Sequence, residues 1–217
     1  MQAWVRARAA SEALKREAFR YATKAQPYDT STADELLKKE REKIEGQLTD
    51  LRDRQIEATR EGSAPRGALS PEQYREYRVR QQIDWYTNKA HGYRKIATRL
   101  RWIELTLAFA ATIITVLAGV LGKKFQLGPI QFDVAALTAV LTTVSGAILA
   151  HIEASRYQHL VTTYLAAAAR LEDVDTEFDA ARTSAGTWSE FVNHCEEIIA
   201  SENNSWIAKW TAKATTS

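Results

Sequence analysis

Leu105–Leu121, LTLAFAATIITVLAGVL, and Val134–Ala150, VAALTAVLTTVSGAILA, decide the fold, because neither carries a charged residue. With Ile103 and Gly122 the first run has 20 residues. As a helix it is about 30 Å long, the hydrocarbon thickness of a bilayer. Leu105–Leu121 alone has nine Leu, Ile, Val and Phe residues, which contribute roughly −3 to −5 kcal/mol to insertion. The second run, taken to Ile152, has eight such residues. His151 and Glu153 lie at its edge, where polar groups reach the headgroups cheaply. Only Gly122–Asp133, GKKFQLGPIQFD, separates the two. A soluble bundle would have to surround two helices that are apolar on every side. The other helices offer narrow apolar stripes between dense charges, too little surface for that. The expected fold class is therefore an all-α membrane protein, a two-span transmembrane helical hairpin whose helices extend into a cytosolic helical bundle.

Outward from the spans the chain changes character. Residues 1–102 hold 22 Lys and Arg against 15 Asp and Glu, and residues 134–217 hold 5 against 10. The whole chain of 217 residues carries a net charge of only +2, which speaks against a nucleic-acid partner. A mean hydropathy of −0.35 averages away the two spans. One Cys excludes an intrachain disulfide framework and a cysteine-based zinc cage. Met1–Arg20 has charges where a signal peptide needs an apolar stretch.

Helical signals continue through both flanks. A first helix covers roughly Ala3–Lys24 and stops before Pro27. A second starts at the capping box Thr32-Ala-Asp-Glu35 and runs to about Glu61, with a seam of Leu37, Ile44, Leu48 and Leu51. A loop near 62–69 precedes Ser70-Pro71-Glu72-Gln73, a Ser cap with Pro at the first helical position. The third helix continues from Pro71 into the first span as one rod of about 50 residues. The fourth begins near Val134 and meets no breaker except Gly146 until Gly186. The fifth starts at the box Thr187-Trp-Ser-Glu190. The domains expected are cytosolic helices over 1–102, the hairpin over 103–152 with spans at about 103–122 and 134–152 and an outside loop at 123–133, and cytosolic helices over 153–217.

Basic flanks set the orientation. Lys89, Arg94, Lys95, Arg99 and Arg101 precede the first span, and Arg156 and Arg170 follow the second. The connection has only Lys123 and Lys124. The excess places both termini in the cytoplasm. Arg99, Arg101, Trp102 and Arg156 are the expected interface anchors, with Phe125 and Phe132 in the connection at the far side.

Three sets of residues carry a resemblance. The first is Trp4, Arg8, Ser11, Glu12, Lys15, Tyr21, Pro27 and Tyr28. The second is Tyr74, Arg78, Val79, Gln82, Trp85, Tyr86, Lys89 and Ala90. The third is Phe191, Val192, Cys195, Glu196, Glu202 and Trp206. Over about residues 1–210 the chain resembles the bacterial SLATT family, the SMODS and SLOG-associating two-transmembrane effector domains. The resemblance implies an inner-membrane effector that forms pores when a nucleotide signal arrives. The family is linked to nucleotide-synthesising or nucleotide-sensing domains. No Gly-rich phosphate loop or dinucleotide fingerprint stands in this sequence, so the expected sensor is a separate nucleotide-synthesising or nucleotide-sensing chain or the cytosolic helices themselves.

A two-span protomer cannot enclose a water path, so conduction requires a homo-oligomer. Ala108, Thr112, Thr115 and Gly119 align on the first span, with Glu104 at its inner end. Ala135, Thr138, Thr142, Ser145 and Leu149 align on the second, continued by Glu153 and Arg156. Such stripes either line a pore with an acidic ring at its mouth or let helices pack closely; packing is the commoner use. Leu105, Phe109, Ile113, Val116 and Val120 form a bulky face suited to lipid. The aromatic cluster Tyr74, Tyr77, Trp85, Tyr86 and Tyr93 could stack a nucleotide base with Arg78 or Arg80 nearby or, the commoner use of such rings, pack against the seam of the C-terminal rod. His91, His151, His159 and His194 are scattered, and Cys195 fits an apolar stripe, so no catalytic, metal or cofactor constellation is expected. The competing function is a non-conducting membrane-anchored scaffold or receptor subunit.

Overall fold

The computed structural model describes residues 2–49, 64, 65, 67–121, 124–127, 130–180 and 185–214. The second helix, expected to run to about Glu61, ends at Gly46, and its seam residue Leu48 lies in a turn; Glu61 and Leu51 themselves fall outside the described residues. The elements are α1 (Gln2–Ala22), α2 (Ala33–Gly46), α3 (Pro71–Tyr74), a π-helical segment (Arg75–Arg80), α4 (Gln81–Leu121), β1 (Lys124–Leu127), β2 (Ile130–Asp133), α5 (Val134–Ser155), α6 (Tyr157–Ala180) and α7 (Ala185–Ala214). Contacts divide the chain into two units, residues 1–87 with 165–217, and residues 88–164.

The long rod forms as its sequence dictates. Ser70 Oγ accepts from Gln73 N at 3.2 Å, and the Gln73 side chain accepts from Ser70 N at 2.9 Å. Pro71 occupies the first helical position, where its missing N–H has no partner to lose. The reciprocal cap satisfies two of the donors that a helix start leaves open. Ser70→Ala should cost about 1 kcal/mol. The cost would be read as faster hydrogen exchange at the Gln73 and Tyr74 amides, and unchanged exchange would deny the cap that role.

The π-helical segment lies wholly in the charged run REYRVR, where the sequence shows neither Pro nor Gly. It has a geometric use. In an unbroken α-helix, twelve residues from Tyr74 to Tyr86 would turn the second ring about 120° away from the first. One extra residue in the turn brings that angle back to about 20°. Tyr74, Val79, Tyr86 and Ala90 are all buried accordingly.

Three further expected boundaries are corrected. Thr32 has φ −95° and ψ 11° and caps nothing; its hydroxyl instead meets the Thr30 hydroxyl at 3.1 Å. The helix expected from Val134 to Gly186 breaks at Arg156, which is left-handed at φ 49°. Rings hold this bend. Tyr157 and Tyr164 each lie 6.1 Å from Tyr93 on α4, and the Tyr157 hydroxyl is 3.3 Å from His151 Nε2. Local propensity does not report such tertiary contacts. Finally, α7 begins at Ala185, so Thr187 sits inside the helix rather than at its cap. In the connection between the spans β1 and β2 pair antiparallel, with Phe125 opposite Phe132 and Lys124 opposite Asp133.

In the first unit α1 packs on α7 and on α2. Trp188 Nε1 donates to Thr23 O at 3.0 Å, and Arg20 Nε to Asn193 Oδ1 at 2.8 Å. Phe178 stacks on Phe191 at 4.3 Å between ring centres. Ala167, Ala168, Leu171 and Val174 on α6 are buried.

Candidate functional site

The second unit carries the spans. They are apolar outward rather than inward: Phe109 is 68% exposed and Val120 78%, and 6% of the most apolar window of each span is buried. A soluble core helix has the opposite arrangement, and a water-soluble monomer rarely shows so large an apolar surface. The two helices touch along a seam. Ala111 on α4 and Ser145 on α5 are its buried centres, and Ser145 Oγ donates to Glu104 O at 3.4 Å. Leu107, Ala108, Ile114 and Ala118 are half-buried on one side of the contact, and Thr138, Leu141, Ile148 and Ile152 on the other.

Seam position fixes the other faces. At about 100° per residue, measured from Ala111, the residues Thr112, Thr115 and Gly119 flank the seam by roughly 40–100°. Thr142, Gly146, Leu149 and Glu153 flank it by similar angles from Ser145. Because α4 and α5 run antiparallel, these two flanks fall on the same broad side of the hairpin. The opposite broad side is Leu107, Ile114, Leu117, Leu137, Leu141 and Val144. One side therefore carries most of the small and hydroxyl-bearing residues, with Leu149 and Leu105 among them, and the other is aliphatic up to His151 at its end.

The expected stripes are divided by this packing. Ser145 is withdrawn into the seam and Thr138 is half-buried there. Thr112, Thr115, Thr142, Leu149 and Glu153 remain exposed on the small-residue side, and Glu104 is half-buried. The hydroxyls donate to their own helices: Thr112 to Ala108 O at 2.9 Å, Thr115 to Ala111 O at 2.8 Å, and Thr142 to Thr138 O at 2.6 Å. What they present outward is lone pairs. A Cβ added at Gly119 or Gly146 would meet nothing within 4 Å. Of the interface anchors, Arg99, Arg101, Trp102 and Arg156 are all exposed.

In the first unit the aromatic cluster separates. Tyr74 and Arg78 are core residues. The Tyr74 ring meets Phe19, Trp188 and Phe191 edge-on at 5.7–6.2 Å. Its hydroxyl donates to Glu196 Oε1 at 3.1 Å. Arg78 forms two parallel bonds to the same carboxylate, at 2.9 and 2.8 Å, and lies 4.5 Å above the Phe19 ring. Burial works against the Arg78 charge, but the bonds to Glu196 outweigh it and leave the guanidinium above its ordinary pKa. Burial, then the Glu196 charge, drives the Tyr74 hydroxyl well above the ordinary tyrosine range. The Cys195 thiol is raised by the same two causes. Beside this pair, Arg75 grips Asp175 at 2.5 Å and Asp179 at 2.7 Å. Tyr77, Trp85 and Tyr86 line a cavity of about 350 Å³ with Arg8, Lys15 and Gln82. Tyr93 belongs to the other unit. Among the described residues no group of three His, Cys, Asp or Glu converges to hold a metal.

The family model of the SMODS and SLOG-associating 2TM effector domain 1 matches residues 74–206, more than half of the chain. The chain belongs to the SLATT family. The matched segment of this SLATT chain opens at Tyr74 and takes in both spans and Glu196, so Tyr74, Arg78 and Glu196 lie inside the domain, while Phe19, which packs on Tyr74 and Arg78, lies outside it. Residues 1–36 match a separate model, a protein family of unknown function, DUF4231. The family match is thus shorter than the expected residues 1–210. No curated protein and no solved structure matches. The SLATT chain is a membrane effector domain of conflict systems, in contact with the lipid bilayer, and SLATT is not a known enzyme family.

Sequence reasoning named Glu196 in the resemblance but gave it no role, and it passed over Arg75, Asp175 and Asp179. The available signal was the pair of arginines three apart, facing a C-terminal half rich in acids. What it lacked was the π turn that carries both inward.

Proposed function

We propose that this SLATT chain is a homo-oligomeric pore- or channel-forming effector of a bacterial nucleotide-signalled defence system. It permeabilises the inner membrane when triggered, with both termini in the cytoplasm. A separate nucleotide-synthesising or nucleotide-sensing chain supplies the trigger. The observation that carries the reading is the two-sided hairpin, small and hydroxyl-bearing on one broad side and aliphatic on the other. In a ring of protomers the aliphatic side meets lipid and the hydroxyl side meets water. Each lining hydroxyl already donates its hydrogen bond to a backbone carbonyl, so the wall offers acceptors. With Glu153 at the inner mouth, such a wall favours cations.

The test is leakage of a small cation and a dye from liposomes containing the purified chain under activating conditions. Thr112→Leu with Thr142→Leu should reduce the leak at least about tenfold, since a dewetted constriction closes a narrow pore. Chemical cross-linking should show the same oligomer. Ser145→Leu is not a suitable partner, because Ser145 fills the seam and a larger side chain there would overpack it. Commitment of the hydroxyls to their own carbonyls also suits the second reading, a non-conducting scaffold or receptor in which small residues only let helices approach. Vesicles that stay tight with wild-type oligomer in place would decide for that reading.

A further inference from the structure

The second unit contains a groove of about 680 Å³ between the start of the first span and the end of the second. Its polar wall is Arg101 and Arg156, with Thr98 and Gln158 beside them. Its apolar wall is Trp102 and Leu105, 67% and 49% exposed. Among the described residues neither guanidinium has a carboxylate within salt-bridge distance. Buried arginines of the first unit are matched: Arg75 has two aspartates and Arg78 a bidentate glutamate. Among the described residues Glu153 is the one acid lining the groove, so its two fixed cations leave a positive surplus. Arg156 stands there because the chain turns left-handed at this residue between α5 and α6. A non-Gly residue holds that conformation only where surrounding contacts impose it, as Tyr157 against Tyr93 does here.

We infer that this groove binds the headgroup phosphate of an anionic phospholipid, with Arg101 and Arg156 closing on the phosphate and Trp102 and Leu105 along the upper acyl chains. Three features select a lipid over a soluble anion. The groove lies at the depth where the apolar span begins, which is the headgroup layer. Its wall changes from guanidinium to exposed indole and Leu along the direction a lipid would take. A free phosphate has no use for the apolar half. Basic pockets between spanning helices hold such headgroups by charge and shape together. The inference rests on the membrane placement and is independent of conduction.

The experiment is native mass spectrometry of the full chain from nanodiscs of equimolar phosphatidylglycerol and phosphatidylcholine. Both lipids carry phosphate, but only the first has net charge. Two interfacial arginines should give retained phosphatidylglycerol an advantage of about 30-fold. Arg101→Gln with Arg156→Gln should abolish it, and either change alone should lower it about fivefold. Arg156→Lys should keep the preference. Arg156→Gly allows the same left-handed backbone without the charge, so it should show the single-variant loss. Equal retention of the two lipids by the wild type would overturn the inference, and so would an unchanged preference in the double variant. Stripping of the lipid by excess inorganic phosphate would overturn the lipid assignment. Co-sedimentation of each variant with vesicles is measured beside it, so a chain that fails to enter the membrane is distinguished from one that enters and does not select.

Discussion

Glu196→Ala should make Cys195 about two to four orders of magnitude more reactive toward a thiol reagent. The chain has one cysteine, and it is fully buried beside the carboxylate in question, so its labelling reports opening of the first unit alone. In the folded unit Glu196 accepts both bonds of Arg78 and the Tyr74 hydroxyl. Its removal leaves a guanidinium buried among Phe19 and Tyr74 with no counter-charge. Breaking a buried pair from one side costs about 3–5 kcal/mol, which appears in the opening equilibrium. Replacing both partners, Arg78→Met with Glu196→Leu, should restore most of the protection, because no charge is then stranded. Glu196→Gln should fall between, since it keeps acceptors and loses charge. The thiol adds a pH dependence. Its folded pKa lies above the unfolded value, so the neutral form favours the fold. That contribution is complete below the unfolded thiol pKa and is lost as pH rises beyond it. Labelling of E196A at the wild-type rate would mean that the first unit is held elsewhere.

The legible part of this fold is what single-residue chemistry encodes. Two uncharged runs of bilayer length announce the spans, and a Ser-Pro-Glu-Gln box announces the rod. Those signals are local, and the structure follows them. The missed features are tertiary. Nothing near Arg156 forbids a helix, and the bend there is imposed by Tyr93 on another element. The π turn replaces ordinary helix in a run of good helix formers, because the ring of Tyr86 must return to the face of Tyr74. The hydroxyl stripes show the same limit. Thr138, Thr142 and Ser145 lie on one stripe by count, but the hairpin contact assigns Ser145 to a seam and Thr142 to an open side. Periodicity gives the relative angles of residues on a helix; only the neighbouring helix gives the zero.

Phe109→Asp should prevent stable membrane insertion, and its sign separates lipid from water around this hairpin. Phe109 is 68% exposed and sits between Leu105 and Ile113 on the bulky face of α4. In a water-soluble protein an exposed Phe→Asp change would remove an apolar surface and cost within about 0.5 kcal/mol, or improve solubility. In a bilayer the same carboxylate lies within the hydrocarbon span, where insertion costs about 2.5–3.5 kcal/mol. The lost Phe adds to this its own favourable few tenths. Against a span whose apolar residues supply roughly 3–5 kcal/mol in all, that is enough to remove most of the driving force. The chain should then move from the carbonate-resistant membrane fraction to the soluble or aggregated fraction. Thr112→Asp, on the hydroxyl side of the same helix, should be better tolerated wherever that side meets water in the oligomer. If F109D stayed in the membrane fraction with wild-type yield, α4 would not be lipid-facing at this position.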